Sequence, residues 1–216
     1  MSLIVIEGID GSGKSTQFKM LCDYMDSAKK PYTRIVFPQY HKASSALLTM
    51  YLNGEFGDDP NAVSAYAAST FYAVDRYASY KQVWGEAYRA GATVLADRYT
   101  TSNAIHQGAK FSGKERENFF HWLDEFEHVL MELPRPDIVL YMDLPLEIAM
   151  ENMKKRQAET GTSADIHEAG EEYLKRCRET AYAAAACYGW HTIPCARDGK
   201  MRSAEEIHQE ILDILF

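Results

Sequence analysis

Gly8-Ile9-Asp10-Gly11-Ser12-Gly13-Lys14-Ser15-Thr16 sets three glycines, a lysine and three hydroxyls in the spacing G-x-x-x-x-G-K-[ST]. That spacing suits one chemistry, the cradling of a nucleotide's phosphates. Glycine lets the backbone adopt angles that side chains forbid, so successive N–H groups can face one anion. The start of a helix behind the loop adds partial positive charge. Lys14 is expected to reach the outer phosphates, and Ser15 to hold Mg²⁺ through its hydroxyl. Gly8, Asp10, Gly11, Ser12, Gly13, Lys14, Ser15 and Thr16 are therefore the candidate residues for binding ATP, with a ligand-free glycine turn as the structural alternative.

Other side chains along the chain could serve a second ligand. Val94-Leu95-Ala96-Asp97-Arg98-Tyr99 is an apolar run ending in a carboxylate and a cation. An Asp there would sit near Mg²⁺, and an Arg at a strand end beside the phosphate loop suits an acceptor phosphate, because its fork binds two oxygens. A surface ion pair is the competing reading. Tyr72 and Arg76 are four residues apart, hence on one face of a helix. Together they could stack on a flat heterocycle and donate to its exocyclic oxygen, or they could be core and surface. Phe37 and Tyr40 flank a Pro turn just past a strand, where a ligand crevice or a buried aromatic would fit equally well. Asn103, His106 and Gln107 share a face at spacings of three and four. Lys154-Lys155-Arg156 precedes a polar stretch, as a solvated face or as a lid over the nucleotide.

The elements that must position these residues follow from apolar patterning. Strand-like runs cover Leu3 to Glu7, Tyr32 to Phe37, Thr93 to Asp97, Ile138 to Asp143 and Trp190 to Pro194. Helical stretches lie between them, including Ser45 to Leu52, Glu115 to Leu133, Glu171 to Tyr188 and Ser203 to Leu215. This alternation predicts an α/β fold, a five-stranded parallel sheet with helices on both faces and right-handed crossovers. One domain accounts for the chain, with a lid segment at about 154–168; neither a repeat nor a linker divides it.

With 216 residues the chain can bury a substantial core. A net charge of −8 argues against a general nucleic-acid partner, which needs a basic face, but leaves room for a small nucleotide substrate. Neither a signal peptide nor an apolar run of membrane-spanning length is visible. Cys22, Cys177, Cys187 and Cys195 fit no zinc pattern, so reduced thiols in a cytoplasmic protein are expected.

The chain resembles a thymidylate kinase. The likeness rests on the loop Glu7 to Thr16, on Phe37-Pro38-x-Tyr40, on Phe71-Tyr72-Ala73-Val74-Asp75-Arg76, on Asp97-Arg98-Tyr99-x-x-Ser102-Asn103, and on Pro136-Asp137 leading to Asp143. It implies a P-loop nucleoside monophosphate kinase that phosphorylates dTMP with ATP and Mg²⁺, and a homodimer. Asp10 would contact the sugar 3′-hydroxyl or phosphate region of the monophosphate. Arg98 would bind its phosphate, Tyr72 would stack on the base, and Arg76 would bond the thymine carbonyl. Asn103 and His106 would lie near base and sugar, and Asp97 would help order Mg²⁺ beside Ser15. Some members carry an Arg in the loop just after the Asp. Here that residue is Gly11, so the catalytic cation would come from the lid, with Arg156 leading. Three departures stand out: Gln39 where an Arg is common, His106 where Tyr or Phe is usual, and Asp165-Ile166-His167-Glu168 without the lid Arg. The alternatives are a kinase for another nucleoside monophosphate or a deoxynucleoside, or a nucleotide-dependent switch.

Overall fold

A computed structural model describes residues 2–57, 59, 61–160 and 171–216. Strands β1 (Ser2–Glu7), β2 (Tyr32–Val36), β3 (Thr93–Asp97), β4 (Ile138–Asp143) and β5 (His191–Pro194) form one parallel sheet in the order β2-β3-β1-β4-β5. The fold class read from the apolar runs is the one observed. β1 lies in the middle, with Ile6 beside Asp97 of β3 and Glu7 beside Tyr141 of β4. The phosphate loop and the segment after β3 thus leave the sheet side by side, at the carboxyl ends where open α/β sheets bind ligands.

Both faces of the sheet are covered, which is why its strands read as continuous apolar runs rather than alternating ones. Successive side chains still point to opposite faces. Ile4 and Ile6 join Leu95, Leu140 and Met142 in a core closed by α1 (Lys14–Ser27), α8 (Glu171–Tyr188) and α9 (Ala204–Leu215). Leu3 and Val5 join Val94, Ala96 and Val139 in a second core with Trp84 and Tyr88. Those two rings belong to a π-helical turn, Tyr80–Trp84, and to α4 (Gly85–Arg89), which continue α3 (Ala65–Ser79).

Element bounds differ from expectation in places. The expected helix to Leu133 is α6 (Gly113–Asp124) followed by a π-helical turn at Glu125–Leu130. The chain then passes Pro134 and Pro136, which cannot donate to a helix. The helix bearing Lys154-Lys155-Arg156 runs further, as α7 (Leu146–Thr160). The remaining helices are α2 (Ala46–Leu52) and α5 (Thr100–His106). A small antiparallel hairpin, β6 (Ala196–Arg197) and β7 (Lys200–Met201), was not foreseen; strands of two residues leave no periodicity to read. The lid residues after Thr160, including Asp165 to Glu168, lie outside the described residues.

Candidate active site

The loop after β1 is shaped for an anion. Gly13 caps α1 with φ 87°, a left-handed angle that glycine adopts without penalty, and the first turn of α1 begins at Lys14. The helix's leading N–H groups have no partner within the helix itself. Gly11, at φ 80°, backs onto α7: a Cβ there would stand 2.2 Å from the Ala149 carbonyl oxygen. Asn152 Nδ2, one turn along α7, donates to the Gly11 carbonyl at 2.9 Å.

Two cations share one carboxylate oxygen here. Lys14 Nζ lies 2.9 Å and Arg98 Nη2 2.6 Å from Asp10 Oδ1. Burial would raise the Asp10 carboxyl, but Lys14 and Arg98 outweigh it and hold it well below the usual carboxylate range. Burial likewise opposes the charge on Arg98, and Asp10, Glu7 and Asp97 overcome it, so the guanidinium stays charged. Arg98 itself takes φ 65°, and its N–H donates to the Ile6 carbonyl at 3.1 Å. A left-handed arginine costs on the order of 1 kcal/mol, and the contacts of its side chain hold it there.

One of its partners is Glu7, which sequence reading quoted without assigning a role. Glu7 is fully buried. Its Oε1 accepts from Gly8 N–H at 2.9 Å and lies 3.4 Å from Arg98 Nη1. Its Oε2 accepts from the hydroxyls of Thr101 (2.7 Å) and Ser102 (2.6 Å) on α5. The signal was available: a carboxylate closing a strand buried on both faces needs several donors at once.

Asp97 and Ser15 face each other, with Ser15 Oγ 3.3 Å from Asp97 Oδ2. The other carboxylate oxygen, Oδ1, is buried and has no hydrogen-bond partner among the described residues. Burial raises the Asp97 carboxyl despite the pull of Lys14 and Arg98. A hydroxyl beside an under-satisfied carboxylate oxygen is a donor set that fits Mg²⁺.

A cavity of about 270 Å³ opens from the loop. Asp10, Lys14, Ser15, Asp97, Arg98 and Arg156 line one part of it. Phe37, Tyr40, Tyr72, Arg76, Asn103 and His106 line the rest. Sequence reading had named all twelve, and the fold brings them together from five separate stretches. Gln107 does not join them: it is fully buried where α5 gives way to a 3₁₀ turn. Phe71 also points elsewhere, packing its ring 6.3 Å from Tyr51 and 5.9 Å from Phe56. This leaves Tyr72 as the aromatic of that pair in the cavity.

Arg76 is neither a surface cation nor a free one. It is 1 % exposed and forks onto Glu127 of the π-helical turn. Its Nε donates to Oε2 at 2.8 Å, Nη2 to Oε1, and Nη1 to the Tyr99 carbonyl at 3.4 Å. Asn103 Nδ2 donates to Glu127 Oε1 at 3.1 Å and to the Ser69 carbonyl at 3.2 Å. Glu127 was missed by sequence reading. Its signal was positional, since it extends the buried stripe Phe119, Phe120, Leu123 of α6, where a carboxylate demands a buried cation.

His106 stands between two groups: Arg98 Nη1 at 3.5 Å from Nε2 and Cys177 Sγ at 3.6 Å from Nδ1. A guanidinium only donates, so Nε2 accepts and the ring proton belongs on Nδ1. Burial pushes the Cys177 thiol up to about 12, so it stays protonated. Gln39 is held by α3: its N–H donates to Asp75 Oδ2 at 2.8 Å and its side chain to Ser79 Oγ at 3.0 Å. Among the described residues no helix is long and apolar enough to cross a membrane.

Known proteins share this architecture. The solved thymidylate kinase of Candida albicans superposes with a TM-score of 0.74 at 22 % identity, covering 99 % of this chain and 90 % of its own. In sequence, a thymidylate kinase of Mycobacterium tuberculosis is 32 % identical over 190 residues, 87 % of each protein. Another, from Pelotomaculum thermopropionicum, is 30 % identical over 213 residues, 94 % of this chain and 93 % of that one. The family's sequence profile, described as thymidylate kinase, matches residues 6–211. With the phosphate loop, the Asp97-Arg98 strand end and the Tyr72/Arg76 face meeting in one cavity, the chain belongs to the thymidylate kinase family.

Proposed function

We infer that this site transfers the γ-phosphoryl group of ATP to dTMP, giving dTDP and ADP. The observation that carries the reading is the single cavity in which a nucleotide loop and a base-sized aromatic and guanidinium pocket face each other across Arg98. A switch that only senses or hydrolyses a nucleotide would have no use for the second half. The ATP phosphates lie against the loop and Lys14. The dTMP phosphate lies against Arg98, with its base toward Tyr72, Arg76 and Asn103. Asp10 holds Lys14 and Arg98 together, and incoming phosphates compete with it for both cations. A phosphate oxygen of dTMP then attacks the γ-phosphorus in line, and the bond to the ADP oxygen breaks.

That nucleophile is largely ionised at neutral pH, so no strong general base is needed. His106, engaged with Arg98 and Cys177, accordingly serves position rather than proton transfer. The work left to the protein is alignment and stabilisation of charge. Arg156, which lines the same cavity, supplies a cation from α7 as the first part of a lid at about 154–168. Ser15 and Asp97 would hold Mg²⁺, which when bound neutralises phosphate charge.

Two coarser features complete the reading. A homodimer is supported by Tyr66, Val74 and Tyr77, apolar or aromatic side chains 42 %, 50 % and 37 % exposed along α3. Four free thiols suit the cytoplasm.

The test is ADP formation with MgATP and dTMP, dUMP, UMP, dCMP, dGMP or no acceptor. Stimulation chiefly by dTMP is expected; stimulation by none of them would turn the reading to a switch. Tyr72→Ala should raise KM for dTMP about tenfold, the worth of one stacking contact, and leave KM for ATP unchanged. An unaltered KM for dTMP would remove Tyr72 from the base pocket.

A further inference from the structure

Among the described residues Glu127 bonds neither the loop nor Lys14 and Arg98, yet it grips both polar residues assigned to the base. Each of its oxygens is committed. Oε2 accepts from Arg76 Nε, and Oε1 accepts from both Arg76 Nη2 and Asn103 Nδ2. Asn103's second contact, the Ser69 carbonyl, is also a pure acceptor. An amide can meet two acceptors only through its nitrogen. The Asn103 carbonyl oxygen is thereby left as the part of the amide that can accept from an occupant of the cavity.

Arg76 is constrained in the same way. A guanidinium carries five N–H donors in a fixed fork. Glu127 takes one edge of that fork and the Tyr99 carbonyl takes a third donor. What remains for the cavity is N–H from Arg76 beside C=O from Asn103. A keto pyrimidine answers this pair with its carbonyl and the adjacent ring N–H. Cytosine offers the reverse pattern, an amine beside a ring nitrogen that accepts.

We propose that Glu127 is a positioning residue that sets the hydrogen-bond polarity of the base pocket, and with it the preference for a keto pyrimidine over cytosine. The proposal rests on the reading of Arg76 and Asn103 as base contacts. Its physical content is that a carboxylate, accepting only, leaves Asn103 no second orientation. An amide at this position would both donate and accept, so the Asn103 side chain could turn and present its nitrogen to the cavity.

The experiment compares kcat and KM for dTMP and dCMP, with MgATP saturating, in the wild type, Glu127→Gln and Glu127→Asp. In the wild type dTMP should be strongly preferred. In Glu127→Gln the ratio of kcat/KM for dTMP over dCMP should fall about tenfold or more, the worth of one polar hydrogen bond. The loss should appear mainly in KM for dTMP, with KM for ATP unchanged. Glu127→Asp keeps the charge with a shorter reach, so the ratio should fall in the same direction by less. This second variant carries the comparison if the first does not fold. A wild type without preference for dTMP would overturn the base-pocket reading and this inference with it. A wild-type preference that both folded variants retain, with activity lowered equally for the two acceptors, would overturn the role of Glu127 alone.

Discussion

Arg98→Ala should lower kcat for dTMP phosphorylation by about 10²- to 10³-fold, the usual loss when one preorganised charge donor is removed. KM for ATP should change little, because Lys14 and the loop remain. The side chain stands 2.6 Å from Asp10 and 3.4 Å from Glu7, where the proposed reading brings the acceptor and donor phosphates together. Its removal also leaves those two carboxylates short of a cation, which pushes phosphate away rather than merely failing to attract it. Steady-state kinetics with each substrate varied in turn decides the matter. Equal, small losses in kcat and in ATP affinity would mean that Arg98 only braces the sheet edge.

Arg76→Ala should have the largest effect on stability. It strands Glu127, which is fully buried, without its guanidinium. Breaking a buried pair from one side costs about 3–5 kcal/mol. For a chain of this size that corresponds to a fall in Tm of about 10 °C. Replacing both partners, as Arg76→Leu with Glu127→Leu, should recover much of that loss, since no charge is then left buried. It should not recover dTMP binding. A thermal melt of the single and double variants separates the two contributions; a single variant that melts with the wild type would show that the pair is not a buried charge pair.

The contrast between Arg76 and Glu127 explains what was legible in the sequence. The strands were readable because burial on both faces writes a continuous apolar run, as in Leu3 to Ile6. The loop was readable because phosphate binding needs its glycines, Lys14 and Ser15 at local, fixed spacings. Tyr72 and Arg76 were readable as one helical face. Their support was not, because it is long-range: Glu127 is 51 residues from Arg76 and 24 from Asn103. Glu7 was hidden similarly, since Thr101 and Ser102 lie 94 and 95 residues away. Local pattern names candidate ligand residues; it does not name the buried carboxylates that hold them. Gln107 marks the converse limit. It keeps helical geometry, its N–H bonding the Asn103 carbonyl, yet its side chain is fully buried; a shared helix face does not say which of its side chains reach a cavity.

The packing of Gly11 against α7 bears on how such a site can change over descent. The resemblance implies that some thymidylate kinases carry an Arg at the position of Gly11, whereas the proposed reading of this chain takes its cation from Arg156 of α7. Here a side chain at that position would enter the Ala149 carbonyl, from a backbone angle that only glycine adopts freely. No single substitution therefore leads from one arrangement to the other. An ancestor passing between them must first draw α7 back from the loop, giving up the Asn152 bond to Gly11, before an arginine there brings any gain. The two arrangements are separate peaks, divided by a backbone contact.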